Sequence, residues 1–338
     1  MIRSLLPLDV ARYSLLGGQG KSNRAFTLTN LVKETRNGVS FVDTIRLSVA
    51  LRNKGLCAFS DVKHGRVTGI AAARPRSGNR TWEVTHLLLS PHHDPSASDL
   101  IRHIAEDVAQ HGGERVFLRL RGDDAAVSEL ARCGLNISCR ELLFKGRRKL
   151  GFSRRKVVMR KRKTGDSYKL FRLYNTATPF ETRSALGLTF EQWRSSRERV
   201  KGRIAECVYE KDDVIRGWVK TIQRMGYGQI QMMVHPEDEV DLLGPILEFA
   251  LSKLPSSSNV YVLVPEYQVL LASLLRRKAY DEEEDFVSMV RSMAVHVKEE
   301  KGLKAVNVAR IGPVVDGLER YEPRPVVAAI TDEALQNR

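Results

Sequence analysis

The chain contains an internal repeat, and a repeat of this length fixes how many copies of one unit the fold must hold. The segment Thr81–Pro91 (TWEVTHLLLSP) has the pattern of a strand that ends at a proline, and Gly226–Pro236 (GYGQIQMMVHP) has the same pattern 145 residues later. The same offset relates Val116–Leu118 to Tyr261–Leu263 without a gap. We therefore expect two copies of one unit, and 338 residues is also the length of about two domains.

Each copy is predicted to have the same order of elements: an opening strand and helix, a hairpin, the strand ending at proline, a helix, a buried strand, a helix and a last strand. In the first copy the hairpin is predicted at Leu56–Asp61 and Arg66–Arg74. The long helix is predicted at Ser96–Gln110, where apolar residues recur at helical spacing. The equivalent second-copy elements are Ile204–Glu210, Val214–Gln223 and Val240–Leu254, and the two last strands are Ser138–Phe144 and Asp285–Met293. This order predicts an α/β (α+β) fold in which each copy is a mixed, mostly antiparallel sheet flanked by helices.

Three local motifs accompany this order of elements. A glycine follows Val67 and Thr68 in the first hairpin, the strands end as Leu88–Pro91 and Met233–Pro236, and Ala126–Leu135 (AVSELARCGL) has a late-helix pattern. In these features the chain resembles the GNAT superfamily of N-acetyltransferases, as a tandem member. The expected divisions are 1–147 and 157–298 for the two GNAT-like domains, 148–156 for a basic linker and 299–338 for a C-terminal tail.

The resemblance implies an N-acyltransferase that uses acetyl-CoA and acts on an amine the sequence does not specify. In the family the strand before the proline separates from its neighbour, and the pantetheine arm of the cofactor pairs with its backbone. The next helix start holds the pyrophosphate, because its N–H groups are unpaired. Backbone N–H groups around Leu89 and Ser90 would then polarise the thioester carbonyl. The cofactor-binding residues implied for the first copy are Leu88, Leu89, Ser90, His93, Ser96, Ala97 and Ser98.

Both copies depart from the family pattern. The Gln or Arg expected in the cofactor loop is Asp94 in the first copy and Glu239 in the second. The second loop, Glu237–Asp241, carries four carboxylates, which would repel a pyrophosphate. The tyrosine that family members use to return a proton to the thiolate is replaced by Leu130 and Leu275. We therefore expect the N-terminal copy to be the one that holds the cofactor. A catalytically degenerate binding or scaffold protein with the same fold is the alternative.

Two residues of the first copy are candidates for acid–base catalysis. Glu83 is the candidate general base, and His86, three residues further along the strand, could assist it. Strand alternation predicts that their side chains point to opposite faces. The alternative roles are structural, with Glu83 in a salt bridge and His86 in a hydrogen bond. The second copy has Gly228 and Gln231 at these positions, so no acid–base pair is expected there.

The positive charge of the chain is concentrated in one segment. Lys145–Lys163 contains 11 basic and no acidic residues, and without it the formal net charge of +15 falls to +4. These charges could contact the phosphates of a nucleic acid or the 3′-phosphate of CoA. They could equally protect edge strands at a domain junction from aggregation. Phe152 is the single aromatic residue of the segment, so it lacks base-stacking platforms, and a nucleic acid is the less favoured partner.

The remaining features exclude several classes of protein. A hydrophobic content of 42% with 28% charged residues excludes a largely disordered chain. The four cysteines show no C-x-x-C spacing and His92–His93 lacks a third ligand, so we expect reduced thiols and no metal. Because no run of 18 apolar residues occurs, a soluble cytoplasmic protein is expected. The oligomeric state is not indicated.

Overall fold

The computed structural model of the chain describes residues 1–15, 23–34, 56–90, 96–153, 155–256 and 258–293. These residues belong to one compact unit, Met1–Val295. The predicted tail 299–338 and the loop residues 91–95, which include His93, lie outside the described residues.

The first copy contains the elements that the sequence predicts, in the predicted order. They are β1 (Ile2–Ser4), α1 (Pro7–Leu15), α2 (Leu31–Glu34), β2 (Cys57–Lys63), β3 (Arg66–Pro75), β4 (Thr81–Leu89), α3 (Ala97–Gln110), β5 (Arg115–Arg121), α4 (Ala126–Arg132) and β6 (Asn136–Arg147). The β2–β3 turn has positive φ at His64 (49°) and Gly65 (73°). Two consecutive residues of this kind give a hairpin turn whose twist matches that of the strands.

The second copy repeats this order. Its elements are β7 (Arg160–Lys161), α5 (Ser167–Ala177), α6 (Phe180–Leu186), α7 (Phe190–Ser196), β8 (Arg203–Lys211), β9 (Val214–Arg224), β10 (Tyr227–Val234), α8 (Glu239–Ser252), β11 (Asn259–Pro265), α9 (Val269–Arg277) and β12 (Asp281–Ser292). The β8–β9 turn again has two positive φ values, at Asp212 (51°) and Asp213 (61°). The opening strand of the second copy, β7, is short, since it pairs with β8 only through Arg160 and Lys161.

All the strands of the described residues lie in one sheet of 12 strands, in the order β1-β2-β3-β4-β5-β12-β6-β11-β10-β9-β8-β7. The two copies therefore enter the sheet from opposite edges and meet at its centre. Every strand pair in the described part of the chain is antiparallel except β4–β5 and β10–β11. The predicted α/β fold with a mixed, mostly antiparallel sheet is confirmed.

The two copies exchange their last strands. β12 of the second copy pairs with β5 of the first, from Phe286↔Arg121 to Ser292↔Arg115. β11 of the second copy pairs along its whole length with Glu141–Arg147 of β6 in the first copy, and β6 and β12 pair with each other. Gly146 allows the Tyr280 ring to lie against β6, because a Cβ at that position would be 2.5 Å from the ring. The strands of the two predicted ranges, 1–147 and 157–298, therefore form one uninterrupted sheet.

Helices cover both faces of the sheet. On one face α3 packs with Ile104 and Val108 against the first half of the sheet, and α8 packs with Ile246 and Leu247 against the second half. Each of these four side chains is fully buried, which stabilises the fold by about 1.5–3 kcal/mol per side chain. On the other face α1 covers β2 and β3, and α5 covers β8 and β9. The α5–α7 face is the one that carries the site described next.

Candidate active site

In the N-terminal copy the two parallel strands of the sheet separate and leave a wedge between them. β4 and β5 pair only from Thr81↔Arg115 to Glu83↔Phe117, and β4 continues to Leu89 without pairing with β5. A wedge at this position is what the GNAT resemblance implies.

This wedge is filled by the chain itself. The N–H of Leu87 donates to Asn23 Oδ1 (2.8 Å), and the N–H of Arg24 donates to the Leu87 carbonyl (2.9 Å). On the other side of the wedge the N–H of Phe26 donates to the Arg119 carbonyl (2.8 Å). The segment around Asn23–Phe26 thus pairs with β4 at Leu87 and with β5 at Arg119, where the family would place a cofactor arm.

Replacing Asn23 by alanine tests how firmly this segment is held. Asn23 is 3% exposed, and its Nδ2 donates to the Ala25 and Thr85 carbonyls, each at 2.9 Å. The variant leaves buried backbone groups without partners, so we expect the free energy of unfolding to fall by about 1–3 kcal/mol. Denaturant unfolding measures this loss, and faster hydrogen exchange at the Leu87 amide locates it. Unchanged exchange at Leu87 would contradict the pairing described here.

The helix start of the N-terminal copy is also occupied by the protein. Ser96 caps α3, because the N–H of Asp99 donates to its Oγ (3.0 Å). The N–H of Ser98 donates to Oε1 of Glu129 on α4 (2.9 Å). Ala97 is fully buried between them. A carboxylate of the chain therefore takes a first-turn N–H group of the kind that would bind a pyrophosphate.

The strand residues predicted to bind the cofactor lie at the end of β4. Leu88 is buried against α1, and Leu89 packs on the core beneath α3. The N–H of Ser90 donates to the Thr68 carbonyl (2.8 Å), so it belongs to the pairing with β3. His93 lies outside the described residues.

Glu83 and His86 lie on the same face of β4, so the prediction that they point to opposite faces is wrong. A bulge at Thr85 shifts the register between β3 and β4. Val84 and Leu87, three residues apart, consequently both face the core beneath α3. Their preceding neighbours, Glu83 and His86, therefore both point to the opposite face.

Glu83 is surrounded by arginines. It is 2% exposed, with Oε1 at 2.7 Å from Arg74 Nη2 and Oε2 at 3.3 Å from Arg76 Nε. Burial raises the pKa of Glu83, and the charges of Arg76 and Arg74 act in the opposite direction. His86 Nδ1 lies 3.0 Å from Thr85 Oγ1. Neither Glu83 nor His86 lines the cavity described below, and their catalytic role stays a prediction.

The C-terminal copy has an equivalent wedge. β10 and β11 pair from Tyr227↔Asn259 to Ile230↔Val262 and separate beyond this point. Met232 lies 145 residues after Leu87, and its carbonyl accepts a hydrogen bond from Gln268 Nε2 (3.2 Å). Because the His235 N–H donates to Arg216 on β9, strand alternation directs the Met232 N–H away from β9 and into the wedge.

A cavity of about 250 Å³ adjoins this wedge on the α5–α7 face. Gln231 and Met233 of β10 line it together with Trp218 and Lys220 of β9. Its other apolar walls are Leu170, Leu186, Trp193 and Leu263. Two buried polar atoms around it, Trp218 Nε1 and Gln268 Oε1, have no hydrogen-bond partner among the described residues. Such atoms are rare in folded proteins, and they indicate a place for a ligand or water.

Tyr267 is a possible proton donor at this cavity. It follows β11 and lines the cavity next to Gln268. Burial raises the pKa of its phenol, and a hydrogen bond with Thr178 acts in the opposite direction. The family position for a tyrosine is filled by Leu275, which lies on α9 and is fully buried. Tyr267 is not indicated by the family motif, which places a tyrosine only at the late-helix position, eight residues further on.

A buried ion network closes one side of the cavity and joins the two copies. Arg119 of β5 binds Glu141 of β6 (2.7 Å) and Glu198, which follows α7 (2.8 Å). Arg76 lies 3.6 Å from Glu198 and also reaches Glu83. Burial acts to raise the pKa of Glu198, but the charges of Arg119 and Arg76 have the larger effect and lower this pKa to about 2. Glu198 is therefore ionised at neutral pH and holds the segment after α7 against β5.

Two arginines partly neutralise the acidic helix start of the C-terminal copy. Arg216 binds both Glu237 and Asp238, and Arg155 lies 3.6 Å from Asp241. Arg155 belongs to the basic segment 145–163, which runs along α8 and donates from Arg148 Nε to the Leu251 carbonyl (2.9 Å). These pairs weaken the repulsion that four carboxylates would exert on a phosphate.

Other cations of the basic segment also have internal partners. Lys145 binds Glu283, Arg160 binds Asp166 and Glu210, and Arg162 binds Glu206. Within the part of the chain that the structure describes, no group of three His, Cys, Asp or Glu side chains could hold a metal. No helix among the described residues is long and apolar enough to span a membrane.

No protein-family model and no curated protein sequence matches the chain. Among solved structures it is similar to a GCN5-related N-acetyltransferase from Sphaerobacter thermophilus, with a TM-score of 0.52 and 14% identity, over 86% of this chain and 95% of that one. It is also similar to a tandem GNAT protein from the clavulanic acid biosynthesis pathway (TM-score 0.49, 15% identity, 86% and 98% covered). A third is a putative acetyltransferase from Pyrococcus horikoshii (TM-score 0.47, 11% identity, 87% and 90% covered).

The likeness to the Sphaerobacter protein shows that this chain has the GNAT fold. The GNAT resemblance predicted from the sequence is confirmed at the level of the fold. The repeated element order and the mirrored sheet order make the chain a tandem of two GNAT-like copies.

Proposed function

We propose that the protein is an acyl-CoA-dependent N-acyltransferase whose C-terminal copy holds both substrates. One contrast supports this proposal: the wedge of the C-terminal copy opens onto a 250 Å³ cavity, whereas the wedge of the N-terminal copy is filled around Asn23–Phe26. The sequence analysis expected the cofactor in the N-terminal copy. The internal partners of Leu87 and Ser98 argue against that expectation.

The residues of the C-terminal wedge suit the thioester and pantetheine end of acetyl-CoA. The Met232 N–H points into the wedge, and Gln268 offers an amide beside it. When bound, acetyl-CoA supplies an acyl group activated as a thioester. Tyr267, whose phenol stays protonated at neutral pH, holds a proton that a leaving thiolate could take. Trp193 and Trp218 give the cavity apolar aromatic walls.

A matched pair of variants tests which copy holds the cofactor. Gln231 lines the C-terminal cavity, and His86 is its equivalent in the N-terminal copy. We expect Gln231→Phe to fill the cavity and weaken acetyl-CoA binding to the full-length protein by about tenfold or more, a loss of about 1.4 kcal/mol. His86→Phe should leave binding unchanged. Isothermal titration calorimetry gives both affinities, and circular dichroism checks that each variant is folded.

The two variants give opposite results if the cofactor lies in the other copy. Weaker binding in His86→Phe with normal binding in Gln231→Phe would move the site to the N-terminal copy, and Glu83 and His86 would return as its candidates. Normal acetyl-CoA binding in both variants would show that the cofactor binds in neither wedge.

A GNAT-fold binding or scaffold protein without catalysis is the second candidate. It is favoured by Leu275, which cannot donate a proton, and by Glu129, which occupies the start of α3. The melting temperature of the wild-type protein separates the two candidates, because a cofactor that binds only the folded state raises it. No rise at millimolar acetyl-CoA would favour the scaffold.

A further inference from the structure

The end of the cavity near Lys220 carries more positive than negative charge. Arg197 and Arg162 both bind the single carboxylate of Glu206, at 2.6 and 2.9 Å. Lys220 lies close enough to these three residues and to Glu198 for their charges to act on its ammonium group. The other buried ions of the site are balanced, since Arg74, Arg76 and Arg119 face Glu83, Glu141 and Glu198. Two positive charges are therefore left over at the Lys220 end.

Lys220 itself has no direct partner. It is 9% exposed and lines the cavity from β9. Among the described residues, no hydrogen bond or ion pair reaches its side chain. Burial lowers the pKa of Lys220, and the charges of Glu206 and Glu198 act in the opposite direction. A largely buried lysine without a direct ion pair is costly, so a lysine kept at this position indicates that a ligand supplies the missing contact.

The other walls of the cavity indicate the chemistry and the size of the rest of that ligand. The apolar walls of the cavity include the aromatic rings of Trp193 and of Trp218, which lies two residues from Lys220 on β9, together with Leu186 and Met233. Trp218 Nε1, on the same strand face as Lys220, is a second buried donor without a partner in the described structure. At about 250 Å³ the cavity is smaller than the roughly 300–1,000 Å³ of pockets that hold drug-sized ligands. The ligand is therefore small, with an apolar body and an anionic end.

We propose that the C-terminal cavity binds a small amine that also carries a carboxylate, with the carboxylate on Lys220 and the apolar body between Trp193 and Trp218. An apolar or aromatic amino acid has this chemistry. The role of this ligand as an acyl acceptor rests on the proposed function, in which its amine would face the wedge at Met232. The binding itself requires no acyl-CoA.

Calorimetry with the full-length protein and no cofactor tests the proposal. The probes are L-phenylalanine and L-leucine, each compared with its amide, which keeps the amine and the body but lacks the carboxylate. We expect each amino acid to bind about thirtyfold or more tightly than its amide, because the amide leaves Lys220 unpaired. Lys220→Met should remove this difference. Lys211→Met, which removes an exposed charge at the end of β8, should preserve it.

Lys220→Met is also expected to keep or raise the melting temperature, because it removes an unpaired buried charge. Equal binding of acid and amide, an unchanged difference in folded Lys220→Met, or no binding of any probe would overturn the proposal. Tighter binding of O-phosphoethanolamine than of either amino acid would overturn the carboxylate assignment.

A separate titration with acetyl-CoA keeps the two proposals distinguishable. If acetyl-CoA binds but the amino acids bind no more tightly than their amides, the acyltransferase proposal stands and the proposed carboxylate site at Lys220 is wrong. The reverse result would make the cavity a ligand site in a protein that is not an acyltransferase.

Discussion

Replacing Glu198 by glutamine is expected to lower the free energy of unfolding by about 3–5 kcal/mol, the usual cost of breaking a buried ion pair from one side. Its side chain is 9% exposed and accepts from Arg119 (2.8 Å) and from the Leu28 N–H (3.0 Å). Without its charge, Arg76 and Arg119 are left with too few carboxylates in a buried site. Denaturant unfolding of the variant and the wild-type protein measures the difference.

Glu191→Gln is the matched control. Glu191 pairs with Arg194 at 2.6 Å, but both side chains are about 60% exposed. Exposed pairs contribute at most about 1 kcal/mol, so this variant should remain close to wild type. Equal losses in the two variants would mean that the buried network does not stabilise the fold more than a surface pair does.

The pH dependence of unfolding gives an independent readout of the same residue. The pKa of Glu198 is about 2 in the folded protein, whereas an unfolded glutamate has a pKa of about 4.3. The stabilisation is therefore fully present above about pH 4.3 and disappears as the pH falls toward 2. Glu198→Gln should reduce the slope of stability against pH within this window, and a slope equal to that of wild type would contradict the assignment.

The parts of the fold that could be predicted from the sequence depend on local patterns. Both hairpins follow from alternating strands around short turns, and the proline at the end of each copy's central strand gave the 145-residue offset. The exchange of β6 and β12 was not predicted, since the apolar pattern of a last strand fits either neighbour equally well. Partner choice depends on contacts such as Tyr280 against Gly146, which are far apart in sequence.

The candidate site was less accessible to sequence reasoning, for the same physical reason. The first cofactor loop looked more suitable than the second because Ser96, Ala97 and Ser98 are small and uncharged, although Asp94 departs from the family pattern. The groups that would bind the cofactor are instead taken by Asn23 and Glu129. These residues lie outside the loop in sequence, and only the folding of the chain brings them next to it. In the second copy the acidic loop appeared unsuited to a phosphate, but Arg216 and Arg155, which lie on other elements, partly neutralise it.

The two copies consequently have different roles in the structure. The N-terminal copy provides Arg76, Arg119 and Glu141 to the cavity of the C-terminal copy. Glu198, from the C-terminal half of the chain, completes that network. A tandem arrangement with exchanged strands thus lets one copy form a wall of the other copy's site, which a single GNAT-like unit could not do.

If the strand exchange stabilises both copies, fragments 1–154 and 155–338 produced separately will not fold as stable monomers, whereas the two produced together will form a folded complex. The first fragment loses Val287 and Met289 of β12 from the core beneath α3 and α4. The second loses Phe144 of β6 from the core beneath α8 and α9. Each buried side chain contributes about 1.5–3 kcal/mol, and the total stability of a domain is only about 5–15 kcal/mol.

Size-exclusion chromatography and thermal unfolding of each fragment, alone and mixed, measure the outcome. The control is the full-length protein cleaved at an inserted protease site after Arg154, which breaks the linker but keeps the exchanged strands in place. We expect the cleaved protein to elute as one species and to unfold cooperatively, because the pairs β5–β12 and β6–β11 hold the halves together without the linker. A monomeric 1–154 fragment with cooperative unfolding would show that the first copy completes its own sheet, and the exchange would then not be needed for stability.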